Sequence, residues 1–524
     1  MTSPSSTLAE PRHNSGPRRL GWWSAAMAGI LAAATVLGVG HLVAAFIDPA
    51  ASPFYVLGAT MVDHTPHELK DAAIRRFGSH DKQALFASMS VVMLLGAAVA
   101  GVLERRRSFW GCALLVILGG VTVVAAMQRP TATVLFVIPA CAGVVAGVSA
   151  LRLLIGGSIP GRPPVQEGMS RRRFLIAAAS VGVVAAGAAA AGQWVSARLR
   201  DVSADRARFL LPRPRSAAPA VPAEVQVPVE GITSFLTPSD RFYRVDTALQ
   251  LPALTSDDWR LRIHGMVDHA VEFDFDRLRM RTPVERIITL TCVSNEVGGD
   301  LAGTARWLGY PLAELLAEAG VRPDADMILS RSIDGFTAST PLSAVMDGRD
   351  ALLAVGMNGE PLPIAHGYPA RMIVPGLYGY VSATKWVVEL EVTRFDRASA
   401  YWTDRGWADR APIKTASRID VPAAFATVPA GPVVVAGVAW AQRRGLDRVE
   451  VQVDDQPWQP ATLAGEYSTD TWRQWTWTWN AEPGTHTVRV RATDRDGRPQ
   501  REERTPPFPD GSTGWHNRVV TVRP

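Results

Sequence analysis

Arg286-Ile287-Ile288-Thr289-Leu290-Thr291-Cys292 runs directly into Val293-Ser294-Asn295-Glu296-Val297-Gly298-Gly299. Aliphatic and β-branched residues fill the first half and a polar, glycine-bearing loop the second. The sequence therefore predicts a buried strand that ends at Cys292. Strand ends that open into such loops commonly carry function. Only two other cysteines exist, Cys112 and Cys141, and both lie in apolar runs as small core or lipid-facing residues. One thiol thus serves the whole downstream half of the chain. An inert buried cysteine is the ordinary reading of such a residue.

Similar patterning surrounds this strand. Arg260–Met266, Met372–Pro375 and Trp386–Val392 read as strands and Pro311–Ala319 as a helix, so residues 227–398 are expected to form an α+β domain. Val433–Val438, Arg448–Val453 and Thr487–Ala492 are short β-rich runs between turn signals. Residues 413–524 therefore read as an all-β, immunoglobulin-like sandwich. Val421–Gln442 is uncharged throughout, but Pro422, Pro429 and Pro432 interrupt it, and it reads as a loop leading into a buried strand rather than a membrane span.

The upstream half is different. The chain is 47% apolar and only 20% charged, and Leu20–Ile47, Ala84–Leu103, Ser108–Gln128, Pro130–Leu151 and Phe174–Val195 contain no Asp, Glu, Lys or Arg. Each is about 20 residues or longer, enough to cross roughly 30 Å of hydrocarbon as a helix. We read residues 1–19 as a cytoplasmic tail, 20–155 as a four-span α-helical membrane domain, 170–195 as a fifth span and 196–226, rich in Arg, Ala and Pro, as a linker. With the N-terminus inside, the cytoplasmic segments carry eleven Arg and the outer loops five Lys or Arg. This bias places everything after Val195 outside the cytoplasm. Ser170-Arg171-Arg172-Arg173-Phe174-Leu175 also fits a twin-arginine export signal, a route for proteins that fold around a cofactor before export. A positive-inside flank is its plainer reading. The net charge of +5 is modest and no basic stripe is interleaved with aromatics, so nucleic acid is not expected as a partner.

A thiolate suits molybdenum, copper, zinc or iron–sulfur. Zinc and iron–sulfur sites need more cysteines, and no His-rich loop follows that would build blue copper. A nucleophilic cysteine paired in space with His366 stays open.

The order of motifs is more specific. Thr291-Cys292-Val293-Ser294-Asn295 followed by Trp307-Leu308-Gly309-Tyr310-Pro311-Leu312 resembles the molybdenum-ligand region of the sulfite-oxidase family. Met357-Asn358-Gly359-Glu360-Pro361-Leu362-Pro363, His366-Gly367-Tyr368-Pro369-Ala370-Arg371, Val374–Gly379 and Ser382-Ala383-Thr384-Lys385-Trp386 continue the likeness. Gly437–Ala441, Arg448–Val451 and Arg491–Asp494 resemble the family's immunoglobulin-like dimerisation domain. The resemblance covers roughly residues 230–524. It implies a membrane-anchored bacterial oxidoreductase with one molybdopterin and a mononuclear molybdenum. Cys292 would be the catalytic metal ligand, and Arg244, Asn295, His366, Arg371, Ser382 and Lys385 would contact the cofactor. Arg and Lys are the donors a phosphate needs. Each of these residues also has a structural reading, as a satisfied core histidine, an ion pair or a turn.

The departures concern substrate. Sulfite oxidases place arginines after the Cys-x-x-Asn loop, whereas here Glu296, Val297 and Gly298 follow Asn295. An acidic residue there repels an anion, so a sulfoxide or other neutral oxide is expected, with sulfite oxidation as the alternative. Tyr401–Trp407 lies near where those enzymes place an active-site tyrosine. A non-catalytic surface binding module is the competing reading from another class. The electron donor or acceptor, whether a cytochrome or quinone-linked, is not specified. His41 alone lies within a span, so no pair of haem ligands is found. The four leading spans are open to three readings: docking a partner, carrying a quinone, or anchoring. A homodimer through the C-terminal domain is a further expectation.

Overall fold

The computed structural model describes residues 21–66, 81–129, 131–155, 171–199 and 201–524. They form two compact units, Met1–Asp201 and Val202–Pro524, taken separately below. The N-terminal tail expected in the cytoplasm, Ser170 and several of the loop arginines counted above lie outside the described residues.

The first unit is helical: α1 (Trp22–Ile47), α2 (Pro53–His64), α3 (Asp81–Arg106), α4 (Trp110–Met127), α5 (Val137–Ile155) and α6 (Arg171–Leu199). Among the described residues, five helices, all of these except α2, are long and apolar enough to cross a membrane. Small residues bring them together. Ala25, Ala28, Gly29 and Ala32 are the buried face of α1, because close backbone approach replaces the hydrophobic effect inside lipid. Glu104 is fully used at the α3–α4 corner. Its carboxylate accepts the free N–H groups of Phe109, Gly111 and Cys112 and pairs with Arg152 at 2.8 Å. It caps the start of α4, where an anion is favoured.

The second unit contains four sheets. Its first half supplies β1 (Leu261–Gly265), β2 (Val271–Phe273), β3 (Val284–Thr291), β4 (Ala302–Pro311), β5 (Met327–Ser332), β6 (Thr337–Pro341), β7 (Leu352–Met357), β8 (Glu360–Pro361), β9 (Arg371–Ile373) and β10 (Val387–Thr393). These pair in the orders β2-β1-β10-β5-β6 and β3-β4-β7-β8, with β9 also beside β7. The predicted helix is α7 (Leu312–Ala319), which follows β4 directly and buries Leu312, Leu315, Leu316 and Ala319 at helical spacing. The second half is the sandwich: β11 (Ala416–Val421), β12 (Thr427–Pro429), β13 (Gly431–Trp440), β14 (Leu446–Val453), β15 (Gln459–Pro460), β16 (Thr462–Leu463), β17 (Arg473–Ala481), β18 (Gly484–Asp494) and β19 (His516–Arg523). Its sheets run β11-β13-β17-β16 and β12-β19-β18-β14-β15. The uncharged stretch 421–442 becomes β12 and β13, with Val435 and Val438 fully buried.

β3 lies at the edge of its sheet, and an uncovered edge is a liability. Two segments cover it. Glu285 N–H donates to the Ser216 carbonyl. Further along, the sandwich takes over. Thr289 N–H donates to the Asp470 carbonyl at 3.0 Å, Gln442 Nε2 donates to the Thr289 carbonyl at 2.6 Å, and Trp472 N–H donates to Thr289 Oγ1 at 2.8 Å. The sandwich thereby fixes the strand that carries Cys292.

Residues 202–226, read from composition as a linker, belong to this unit. Val202, Phe209, Ala218 and Val225 join its core. Asp205 accepts from Tyr368 Oη at 2.6 Å and from Ser256 N–H at 2.8 Å.

Candidate active site

Cys292 sits one residue past β3 and is 8% exposed. Its N–H donates to the Leu301 carbonyl at 2.9 Å and its carbonyl accepts from Asn295 N–H at 3.1 Å. Asn295 Oδ1 accepts from Leu301 N–H at 2.9 Å, and the Asn295 carbonyl accepts from Ser512 Oγ of the sandwich at 2.6 Å. The structure thus gives Asn295 the task of closing the 292–301 loop. Gly298 holds a φ of +81°, and a Cβ there would lie 2.3 Å from the His516 ring. Only glycine lets the loop rest on the sandwich at that point. Burial raises the pKa of the Cys292 thiol, while the Ser294 hydroxyl and the Ser294 and Val293 backbone stabilise its thiolate.

A cationic patch is built from segments widely separated in sequence. Arg371 begins β9 and is 5% exposed. Its guanidinium donates to the carbonyls of His366 (3.1 Å), Ala383 (3.2 Å) and Met372 (3.5 Å) and lies 5.3 Å from the Trp307 ring centre. No carboxylate pairs with it among the described residues, and burial lowers its pKa to about 10. Lys385 is brought beside it by a β-bridge between the two residues. Lys385 Nζ donates to Asp246 at 2.8 Å and to the Ala365 carbonyl at 3.2 Å. Burial lowers its pKa to about 8, with Asp246 opposing. Arg244, half exposed, donates to the same Asp246 oxygen at 2.8 Å. His366 is buried, and desolvation together with Arg371 and Lys385 lowers its pKa to about 4. It is a neutral imidazole near pH 7. Ser382 is fully buried and its hydroxyl donates to the Leu377 and Tyr378 carbonyls at 3.0 Å.

Tyr243 ties the patch to the thiol. Its phenol is pushed up by burial and by the charge at Cys292 and pulled down by Arg371. Phe242 packs on Tyr243 and edge-on to His366 and Trp307. Tyr378 also feels the Cys292 charge. Of the residues expected from sequence, His366, Arg371, Lys385 and Arg244 therefore gather in one patch, with Cys292 beside it across Tyr243. Ser382 and Asn295 brace the flanking segments. Sequence reasoning missed Tyr243, Asp246, Trp307 and Tyr378. A signal for the first two exists, because Tyr243 and Asp246 lie within two residues of Arg244.

The donor set fits an anionic group that brings its own metal ligands. Three cations (Arg244, Arg371, Lys385) face one carboxylate (Asp246), and a buried cation without a counter-ion is unfavourable. Among the described residues, no cluster of three or more His, Cys, Asp or Glu side chains could hold a metal ion. A metal at Cys292 would need ligands beyond these side chains.

Residues 248–402 match the oxidoreductase molybdopterin binding domain family, and residues 416–490 match the bacterial Ig domain family. The chain carries a sulfite-oxidase-like molybdopterin oxidoreductase domain. The chain is 31% identical to mitochondrial sulfite oxidase of Rattus norvegicus over 289 residues, covering 47% of this chain and 52% of the relative. The human mitochondrial sulfite oxidase is 30% identical over 302 residues, covering 48% and 55%. The chain spans about half the length of these curated relatives. Among solved structures, the sulfane dehydrogenase SoxCD of Paracoccus pantotrophus is similar, with a TM-score of 0.49 and 22% identity over 60% of this chain and 94% of that one.

Proposed function

We propose that the second unit catalyses oxygen-atom transfer at a mononuclear molybdenum held by one pterin and by Cys292, on a neutral sulfoxide or related oxide outside the cytoplasm. The observation that carries this reading is the buried Cys292 beside a cationic patch short of counter-charge. When bound, the cofactor would supply the two-electron change at the metal. The chain supplies the rest. Ser294 and the Val293 and Ser294 backbone favour the thiolate of Cys292. Arg371, Lys385 and Arg244 hold the anionic phosphate end, and Arg371 would give up backbone carbonyl partners for a stronger charged one. His366, neutral, offers a ring nitrogen to the pterin. Asn295, Ser382 and the sandwich keep these groups in place.

The loop after Asn295 supports a neutral substrate. Glu296 is exposed at its turn. Two arginines distant in sequence are already engaged, Arg306 with Glu285 at 2.9 Å and Arg443 with Asp470 at 3.2 Å. A doubly charged anion entering a partly desolvated pocket needs compensating cations. In the balanced reaction a sulfoxide takes up two electrons and two protons. Its sulfur–oxygen bond breaks, the sulfur is reduced to the thioether, and the oxygen leaves as one water. The electrons are drawn from a cytochrome or quinone-linked partner. Sulfite oxidation is the second reading, favoured by the names of the relatives. The Arg asymmetry supports the outward placement, and the sandwich supports a homodimer.

Steady-state kinetics with dimethyl sulfoxide and with sulfite test this function. We expect kcat/KM for the sulfoxide to exceed that for sulfite at least about tenfold, and Cys292→Ser to remove activity by about 1,000-fold, since an alkoxide is a harder ligand than a thiolate. Sulfite oxidation that is preferred and falls steeply with added salt would overturn the substrate assignment.

A further inference from the structure

We propose that the first unit binds the ring of a lipid-soluble quinone in a pocket between α1, α2 and α6. The cavity there has a volume of about 420 Å³, within the ~300–1,000 Å³ range of small-molecule sites. Its walls are aliphatic and aromatic, and four polar side chains interrupt them: His41, Ser52, Tyr55 and Gln193. Ser52 is fully buried, and its Oγ lies 3.1 Å from His41 Nδ1. Gln193 reaches the same imidazole from α6. Tyr55 stands over it with ring centres 6.0 Å apart. A Cβ at Gly192 would lie 2.8 Å from His41 Cδ2, so glycine is what lets α6 approach the imidazole.

The chemistry of the lining selects the ligand class. No Asp, Glu, Lys or Arg lines the pocket, so the ligand is neutral. Gln193 is exposed on a helix that would face lipid, where a polar side chain is unfavourable and marks function. His41 lies six residues before the end of α1 and Gln193 two before the end of the uncharged run Phe174–Val195, about 9 and 3 Å in at 1.5 Å per residue. A lipid-soluble ligand has direct access to such a position from the bilayer. The hydrogen bonding also works in both directions. If Ser52 donates to Nδ1, His41 Nε2–H donates to a quinone carbonyl. If Nδ1–H donates to Ser52, Nε2 accepts from a quinol hydroxyl. Gln193 likewise offers both donor and acceptor. A site that holds both redox forms of one ring needs this ambivalence. Haem would need a second axial ligand, and His41 is the one histidine of the lining.

With the sulfoxide reading, on which this redox role rests, one quinol and one sulfoxide would become one quinone, one thioether and one water. The quinol is oxidised, its two electrons and two protons reduce the substrate, and the oxygen leaves as water. Binding itself does not rest on that reading. The test uses the full chain in lipid nanodiscs titrated with ubiquinone-1 and menaquinone-1. We expect saturable one-site binding of at least one of the two. His41→Leu and, at a lipid-facing position that tolerates apolar residues, Gln193→Leu should each raise Kd at least about tenfold, while Leu95→Ala on α3 leaves it unchanged. Unsaturable partitioning, equal Kd in the wild type and both pocket variants, or a haem Soret band in the purified protein would overturn the proposal. A molybdenum-free protein that still binds quinone would overturn only the catalytic reading. A molybdenum-loaded, sulfoxide-reducing protein without saturable binding would overturn only this one.

Discussion

Arg371 carries a positive charge into the interior with only backbone carbonyls as hydrogen-bond partners among the described residues. Replacing it with methionine removes that charge at similar volume and strands the His366 and Ala383 carbonyls, two opposing effects of about 1–3 kcal/mol each. In protein produced without the pterin, Arg371→Met should therefore change the melting temperature by only a few degrees. In protein produced with it, bound molybdenum should fall at least about tenfold. Unchanged metal content by elemental analysis would remove Arg371 from the binding patch. At this scale the sequence revealed donors but not their partners. His366, Arg371 and Lys385 sit within one short motif run and could be read together. Asp246, which holds Lys385 from 139 positions away, and Trp307, which lies against Arg371, are joined to them only by the fold.

Strands and spans were legible because each has a local period or length that water or lipid imposes. β3 is continuous in sequence and α7 shows its apolar face at helical spacing. The covering of β3 was not legible, because Thr289 is satisfied by Gln442, Asp470 and Trp472 from the sandwich. The 202–226 segment misled for a related reason. Proline- and arginine-rich composition signals no regular element, and none is needed for Asp205 and Phe209 to anchor it. At the head of α6, Arg171, Arg172 and Arg173 are exposed on the first turn. Changing Arg171 and Arg172 together to lysine keeps the charge, so ordinary positive-inside topology should survive. If a twin-arginine route reads this segment, a reporter fused after Pro524 should stay inside the cell. A reporter that still appears outside would show that charge alone directs the helix.

Two imidazoles make the whole second unit acid-sensitive. Burial lowers the pKa of both His366 and His516 to about 4, against roughly 6.5 in the unfolded chain. The unfolded state therefore binds more protons between these values, and stability falls as pH drops from about 6.5 towards 4. His486, raised by its bond to Asp454, acts in the opposite direction, but its contribution is gained above about pH 6.5, as pH falls, and is constant below it. His516 Nδ1 accepts from Ile419 N–H at 2.9 Å, and a glutamine can accept there without titrating. The melting temperature should decline as pH falls below about 6.5, with a shallower decline in His516→Gln. A wild-type profile flat down to pH 4 would contradict the buried, neutral state of these rings.

The central claim is that Cys292 and the patch beside it exist to hold a molybdenum–pterin group. Elemental analysis together with pterin fluorescence on the full-length protein, purified from a host that makes the cofactor, tests this most directly. The account predicts about one molybdenum and one pterin per chain, with molybdenum reduced in Arg371→Met. A fully folded protein from that host with neither molybdenum nor pterin would contradict it.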